Sequence, residues 1–223
     1  MAMIHRTTMN PTKLELLQPW LPAQPWYVGQ GGRPVLSRVG GFRLDDPEGE
    51  VGIEFMVVAD ESGDEPVAYH VPLTYRAAPL DGADDALLGT SEHGVLGTRW
   101  IYDGTHDPVL VATLFALLQG DAEPQAQGVS DTPDPSVTWH FAPAGGRPSL
   151  KSSITTHGSE GTELRLETIA DGEAGKLIAR VTRVLRPDAG APGAVGQVTT
   201  GWRLPDGTEQ RGAFVVVHDA SAA

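Results

Sequence analysis

Between Val67 and Tyr75 every second residue is large and apolar or aromatic: Val67, Tyr69, Val71, Leu73 and Tyr75. A repeat of two sends successive side chains to opposite sides of an extended backbone, so this run is a strand and not a helix. The stretch before it follows the same rule, with Val51, Ile53, Phe55 and Val57 alternating against Gly52, Glu54 and Met56. Residues 35–44 supply a third such run. The breaks between them, Asp45-Asp-Pro-Glu-Gly49 and Glu61-Ser-Gly-Asp-Glu-Pro66, are built from turn residues. Strands at 35–44, 51–59 and 67–75 therefore predict an antiparallel meander with one face on a core.

Helices are expected on either side of it. Asn10 suits an N-cap and Pro11 the first helical position, ahead of Leu14, Leu17 and Leu21 at helical spacing, while Pro19 and Pro22 end the helix. Trp20, Trp26 and Tyr27 then fall in one turn, either as a plug on the end of the sheet or as a stacking platform for a sugar. Residues 80–97 read as a loop and 98–102 as a strand. Asp107 and Pro108 start a second helix, whose apolar face carries Val109, Ala112, Leu114, Phe115, Leu117 and Leu118 and whose C-cap is Gly120. Residues 1–120 thus form an α+β unit.

Residues 121–136 lose all periodicity and read as a linker. From 137 to 219 the chain is nearly all β, with strands expected at 137–141, 150–156, 162–169, 176–185, 198–204 and 212–218. Turns at His157-Gly-Ser-Glu-Gly161, Ala170-Asp-Gly172 and Pro205-Asp-Gly207 separate most of them.

Charge narrows the possible partners. The 223 residues carry a formal net charge of −13 and a pI near 4.8, which repels nucleic acid and anionic membrane surfaces. No apolar run approaches the ~18 residues of a membrane span, and the first residues lack the pattern of a signal peptide. Cysteine is absent, which excludes disulfides, thiolate nucleophiles and thiolate zinc sites and fits a reducing cytoplasm.

Chemical motifs are few. Gly29-Gln-Gly-Gly32 follows no strand and leads into Arg33-Pro34, so it cannot cradle a dinucleotide at a helix start. The seven histidines, at 5, 70, 93, 106, 140, 157 and 218, never fall at metal spacing and read as surface or singly bonded groups. Asp45, Asp46, Glu48 and Glu50 form an acidic turn whose default state is solvated. No metal site, cofactor or catalytic residue is expected.

Two phrases carry a resemblance. Trp20-Leu-Pro-Ala-Gln-Pro-Trp-Tyr-Val-Gly29 resembles the W-L-P-x-Q-R-W-[FY]-x-G-K signature of the N-terminal cap of bacterial maltokinases and related sugar kinases, with Pro25 and Gln30 departing from it. Tyr102-Asp-Gly-Thr-His-Asp-Pro108 is similar to that family's Y-D-A-x-x-D-P. The likeness extends over about the first half of the chain. Beyond residue 136 the chain resembles the β-rich segment that joins cap to catalytic lobe in that family, a kinase small lobe. There the resemblance implies that the tip at Gly158 and Gly161 covers phosphates and that Arg180 stands where a nucleotide-contacting lysine belongs. A sugar or nucleotide contact at Trp20, Gln24, Trp26 and Tyr27 belongs to the binding-module reading below.

The same family's phosphoryl transfer needs an aspartate base with an asparagine and an aspartate for magnesium. Asn10 is the only asparagine, and no H-x-D-x-x-x-x-N occurs. The expectation is therefore a non-catalytic accessory or regulatory module linked to trehalose, maltose or α-glucan metabolism, similar to short stand-alone actinobacterial cap chains. Its partner would be a protein or a small sugar. A sugar- or nucleotide-binding module is the second reading, and an enzyme without a familiar motif the third.

Overall fold

The computed structural model describes residues 9–29, 32–129, 131–144, 146–187 and 191–220. Its body is an antiparallel β-structure carrying two short α-helices. The chain runs through β1 (Met9–Asn10), α1 (Lys13–Trp20), β2 (Leu36–Asp45), β3 (Gly52–Asp60), β4 (Val67–Arg76), β5 (Leu87–His93), β6 (Gly97–Asp103), α2 (Pro108–Gln119), β7 (Gln125–Ala126), β8 (Thr138–Phe141), β9 (Ser149–Gly158), β10 (Gly161–Ala170), β11 (Glu173–Val181), β12 (Gly196–Arg203) and β13 (Glu209–Asp219). Three single 3-10 turns lie at Leu21–Ala23, Asp84–Ala86 and Gly104–His106.

Helix α1 starts later than Asn10 suggests. Thr12 accepts the amide of Glu15 while the Glu15 carboxylate accepts the amide of Thr12, a reciprocal pair that satisfies two otherwise orphaned donors. Asn10 instead pairs with Glu92 in the sheet, Pro11 precedes the helix, and Pro19 sits in its last turn. Helix α2 forms as expected. Asp107 caps it by accepting the amide of Val109, Pro108 takes the first position, and Gly120 ends it in the left-handed conformation at φ 79°.

The meander forms, but β3 is buried on both faces rather than one. Ile53, Phe55 and Val57 point into the main core, whereas Met56 and Val58 join Leu17, Leu21 and Trp26 beneath α1 and the turn after it. A further correction concerns 80–97. This stretch contains β5, which pairs with β6 on one side and β1 on the other. Its Gly89 and polar tail (Thr90, Ser91, Glu92) conceal the strand from a reading by periodicity.

Sheet order is β1-β5-β6-β4-β3-β2-β12-β13-β11-β10-β9, with β7 on β2 and β8 on β12. The order hides a closure. Past Val181 the chain leaves β10, so the strand expected at 176–185 is split. The amide of Thr182 donates to Phe214 O, and the next three residues pair with β4. His70 N donates to Arg183 O, Leu185 N donates to Ala68 O, and Tyr69 bridges Val184. Hydrogen bonding therefore returns to its starting point through β2, β3, β4, residues 182–185, β13 and β12. This is a small closed barrel with no free edge along the ring.

Five rings fill that barrel. Phe42 stacks on Phe55 at 4.6 Å, and Phe214 lies 4.4 Å from His70, 6.2 Å from Phe42 and 6.3 Å from Trp202. Both halves of the sequence contribute to this core. Helix α2 extends it by packing Leu114 and Leu118 in the same cluster as Leu164 and Leu166. Within 121–136, expected as a linker, residues 121–129 and 131–136 lie along the first half. β7 pairs with β2, and the side chain of Gln127 donates to Glu54 at 2.8 Å.

Candidate functional site

The densest polar cluster lies where β6, β9, β10 and the barrel-closing segment meet. Asp103 ends β6 and its carboxylate caps the adjoining turn, accepting the amide and hydroxyl of Thr105 at 3.1 and 2.8 Å. Arg183 reaches it from the closing segment. Its Nη2 donates to Asp103 Oδ2 at 2.6 Å and to Thr105 Oγ1 at 3.1 Å, while Nε donates to Thr162 Oγ1 at 2.8 Å. The guanidinium carbon lies 5.0 Å from the centre of the Trp26 ring. Arg183 is 0% exposed. A fully buried cation is tolerable only when paired and hydrogen-bonded, and here a carboxylate, two hydroxyls and an aromatic face perform that task. Arg183 Nη1 and Trp26 Nε1 are buried without a hydrogen-bond partner.

From Thr162 the network continues outward. His157 Nδ1 lies 2.8 Å from Thr162 Oγ1, and His157 Nε2 lies 2.7 Å from His106 Nε2. One imidazole must donate to the other, so at least one of these nitrogens is unprotonated. Burial pushes His157 down to about 4, Arg183 and His106 push it the same way, and Asp103 opposes them. Burial alone would raise Asp103, but the Arg183 guanidinium and the Thr105 hydrogen bond hold it below the ordinary carboxylate value. The expectation of isolated histidines does not hold for these two. The fold joins them across 51 positions and buries a third, His70, inside the barrel. Spacing along the chain carries no signal of either.

The sequence candidates fall in two places. Trp20, Gln24, Trp26 and Tyr27 form the turn after α1. Trp26 is buried, with Trp20 at 5.9 Å and Tyr69 at 6.0 Å, and Tyr27 stacks on Tyr69 at 5.4 Å while its hydroxyl donates to Asp60 at 2.8 Å. The Gln24 amide donates back to Trp20 O at 3.2 Å. These contacts are those of a plug. Trp20 alone among the three rings of this turn has neither deep burial nor a hydrogen bond holding it.

Gly158 and Gly161 close the two-residue hairpin between β9 and β10. Gly161 has φ +127°, and a Cβ there would sit 2.8 Å from Val181 O, so the position requires glycine. Arg180 is half-exposed on β11 and donates to Glu163 at 3.1 Å across the pair of strands. The strand register sets Arg180 opposite Glu163 and Val181 opposite Thr162. The arginine that the fold buries is Arg183, three residues on. The pattern Arg180-Val-Thr-Arg183 offers both, and only the departure of the chain from β10 decides between them.

Four other carboxylates are buried, Asp46, Glu54, Asp60 and Asp107. Burial alone would raise Glu54, but Lys13, Tyr75 and Gln127 all donate to it, and the Lys13 ammonium with the Tyr75 hydroxyl holds it below its ordinary value. Asp46, in the acidic turn, accepts the amides of Glu48, Glu50 and Val51, so this carboxylate closes the turn. Beside it lies a groove of about 600 Å³ with Val109, Ala112 and Ala116 of α2 as floor and Glu48 and Glu123 on its rim. Among the described residues no cluster of three or more histidine, aspartate or glutamate side chains is placed to hold a metal ion. No helix among them is long and apolar enough to cross a membrane.

The plug turn opens a stretch that the Arg76–Asp107 clamp closes, with Arg76 donating to both Asp107 oxygens at 2.6 and 2.7 Å. Residues 20–107 match the maltokinase N-terminal cap domain. The match covers less than half of the chain, and no curated protein matches it. Within the matched segment, the Trp26 ring and the Asp103 and Thr105 side chains meet the Arg183 guanidinium. The polar cluster is therefore where the cap segment joins the second half of the chain.

Proposed function

We propose that the chain is a non-catalytic accessory or regulatory module that acts through protein contacts in cytoplasmic maltose, trehalose or α-glucan metabolism. The cap match supplies the metabolic link. The observation that carries the non-catalytic reading is the use of the charged groups. Asp103 and Arg183 are buried against each other, and Arg180, placed by resemblance at a nucleotide, is paired with Glu163 on a solvent-facing strand. Among the described residues the only α-helices are α1 and α2.

Purified protein incubated with labelled ATP, magnesium and maltose, glucose or glucosamine is expected to give no sugar phosphate. Turnover that scales with protein concentration through rigorous purification overturns the reading. Co-migration with a maltokinase or a trehalose synthase in size exclusion is the positive result expected. A thermal shift with maltose or ATP-magnesium, in place of such co-migration, promotes a small-molecule binding module.

A further inference from the structure

Strand β9 ends the sheet: β10 occupies one of its edges and no strand among the described residues occupies the other. A free edge is a row of unpaired amides and carbonyls, and natural sheets guard such rows with lysines, prolines, bulges or covering loops. β9 is guarded at its start only. Lys151 is the single charged residue in the strand, and the pairing with β10 slips between Glu167 and Thr168, leaving Lys151 itself as the bulged residue of β9. Beyond it comes Ser152-Ser-Ile-Thr-Thr156, five uncharged residues of which three are β-branched.

We propose that the 152–156 edge of β9 pairs antiparallel with the same segment of a second copy of this chain. The hairpin fixes which groups are free. Gly158 and Gly161 form the closing pair, so Thr156 and Ile154 direct their backbone groups to β10, while Ser153 and Thr155 direct theirs outward. A two-fold axis at Ile154 sets each Ser153 opposite Thr155 of the partner copy, both with outward groups, and pairs Ser152 with Thr156. Ile154 then meets its own twin in the close, non-hydrogen-bonded position. Ile154 is 63% exposed, the most exposed large aliphatic of the described residues, and this register covers it.

Charge permits the contact despite the −13 of the whole chain. The outer face of the adjoining strands is locally balanced, with Arg165, Lys176 and Arg180 against Glu163 and Glu167. No like charges oppose each other between 152 and 156. The segment is short, so the interface falls below the ~800 Å² per partner of a stable dimer and the association is weak and concentration-dependent. This proposal stands independently of the accessory-module reading, since it needs neither a sugar nor a foreign partner.

Sedimentation velocity is expected to show monomer at ~1 µM and a growing dimer fraction by ~500 µM, as suits a small interface. Hydrogen exchange in the same range should slow at the amides of Ser153 and Thr155. Ser153→Pro removes an outward donor without touching the β10 ladder, and Ile154→Lys sets two charges on the axis. Each should return the protein to monomer, with the far-UV spectrum and melting temperature showing that the fold persists. A dimer that survives both folded variants, or an unmodified chain that stays monomeric at ~500 µM, overturns the proposal. Binding of an unrelated extended peptide at this edge without self-association overturns it as well, by assigning the edge to a foreign strand.

Discussion

Arg183 is the residue on which the polar junction turns. Its four contacts come from β6, the turn after it, β10 and the plug, so removing the guanidinium leaves Asp103 buried without its counter-charge. Arg183→Met should cost about 3–5 kcal/mol in urea unfolding, the penalty of an uncompensated buried charge. Arg183→Lys should recover only part of this, because a point ammonium cannot reach Asp103 and Thr162 with separate donors. A second expectation at this scale is a pH dependence. Burial holds His157 at about 4 and His70 at about 3 in the folded chain, against 6.5 unfolded. The unfolded chain therefore binds more protons, and stability present above pH ~6.5 is lost as pH falls toward ~4. Urea midpoints taken from pH ~7.5 to ~4.5 should fall, and His157→Gln should make that fall shallower throughout. A midpoint independent of pH over this window refutes the burial of both imidazoles in neutral form.

At the scale of elements, the ends are where residues and structure agree or part. Asp107-Pro108 and Gly120 announce α2 because each end is settled by local chemistry, a cap and a left-handed glycine. The start of α1 is ambiguous in the sequence because Asn10 and Thr12 are both capable caps, and what favours Thr12 is a glutamate three residues on. Thr12→Ala should lower stability by ~1 kcal/mol, and Asn10→Ala should change it little. Similarly, Gly161→Ala should destabilise the chain by roughly 1–3 kcal/mol, given its positive φ and the nearby Val181 carbonyl. Gly158→Ala meets nothing and should be nearly neutral. Thermal melts of the four variants decide these orderings. The candidate turn at Trp20, Trp26 and Tyr27 is legible as an aromatic cluster, since three rings in eight residues must bury much surface. What lies beneath it is not, because Tyr69, Asp60 and Arg183 arrive from distant parts of the chain.

For the whole molecule, alternation reveals most of the strands but not their neighbours. Period two says that β4 has two faces. It cannot say that one edge of β4 is shared between β6 and a segment more than a hundred residues further on. That sharing places the core of both halves in one barrel, so the accessible sites should be the tips and not the middle. Limited subtilisin digestion is expected to nick first at the exposed turns after β3 and between β9 and β10. The stretch containing β7, held by β2 and by Glu54, should resist for longer. Early cleavage at 121–136 with survival of two folded fragments would show that the halves are separable.

Ring closure also has a consequence in time. Phe42 and Phe55 can stack as soon as the meander pairs, but the wall opposite them is Phe214, carried by β13 at the far end of the barrel's chain path. Residues 182–185 must fit between β4 and β13 before any of the ring is sealed. Contacts this far apart along the chain make for slow folding, because the entropy of closing long loops precedes the gain. During synthesis the meander therefore emerges with an apolar inner face and no lid, and remains so until β13 leaves the ribosome.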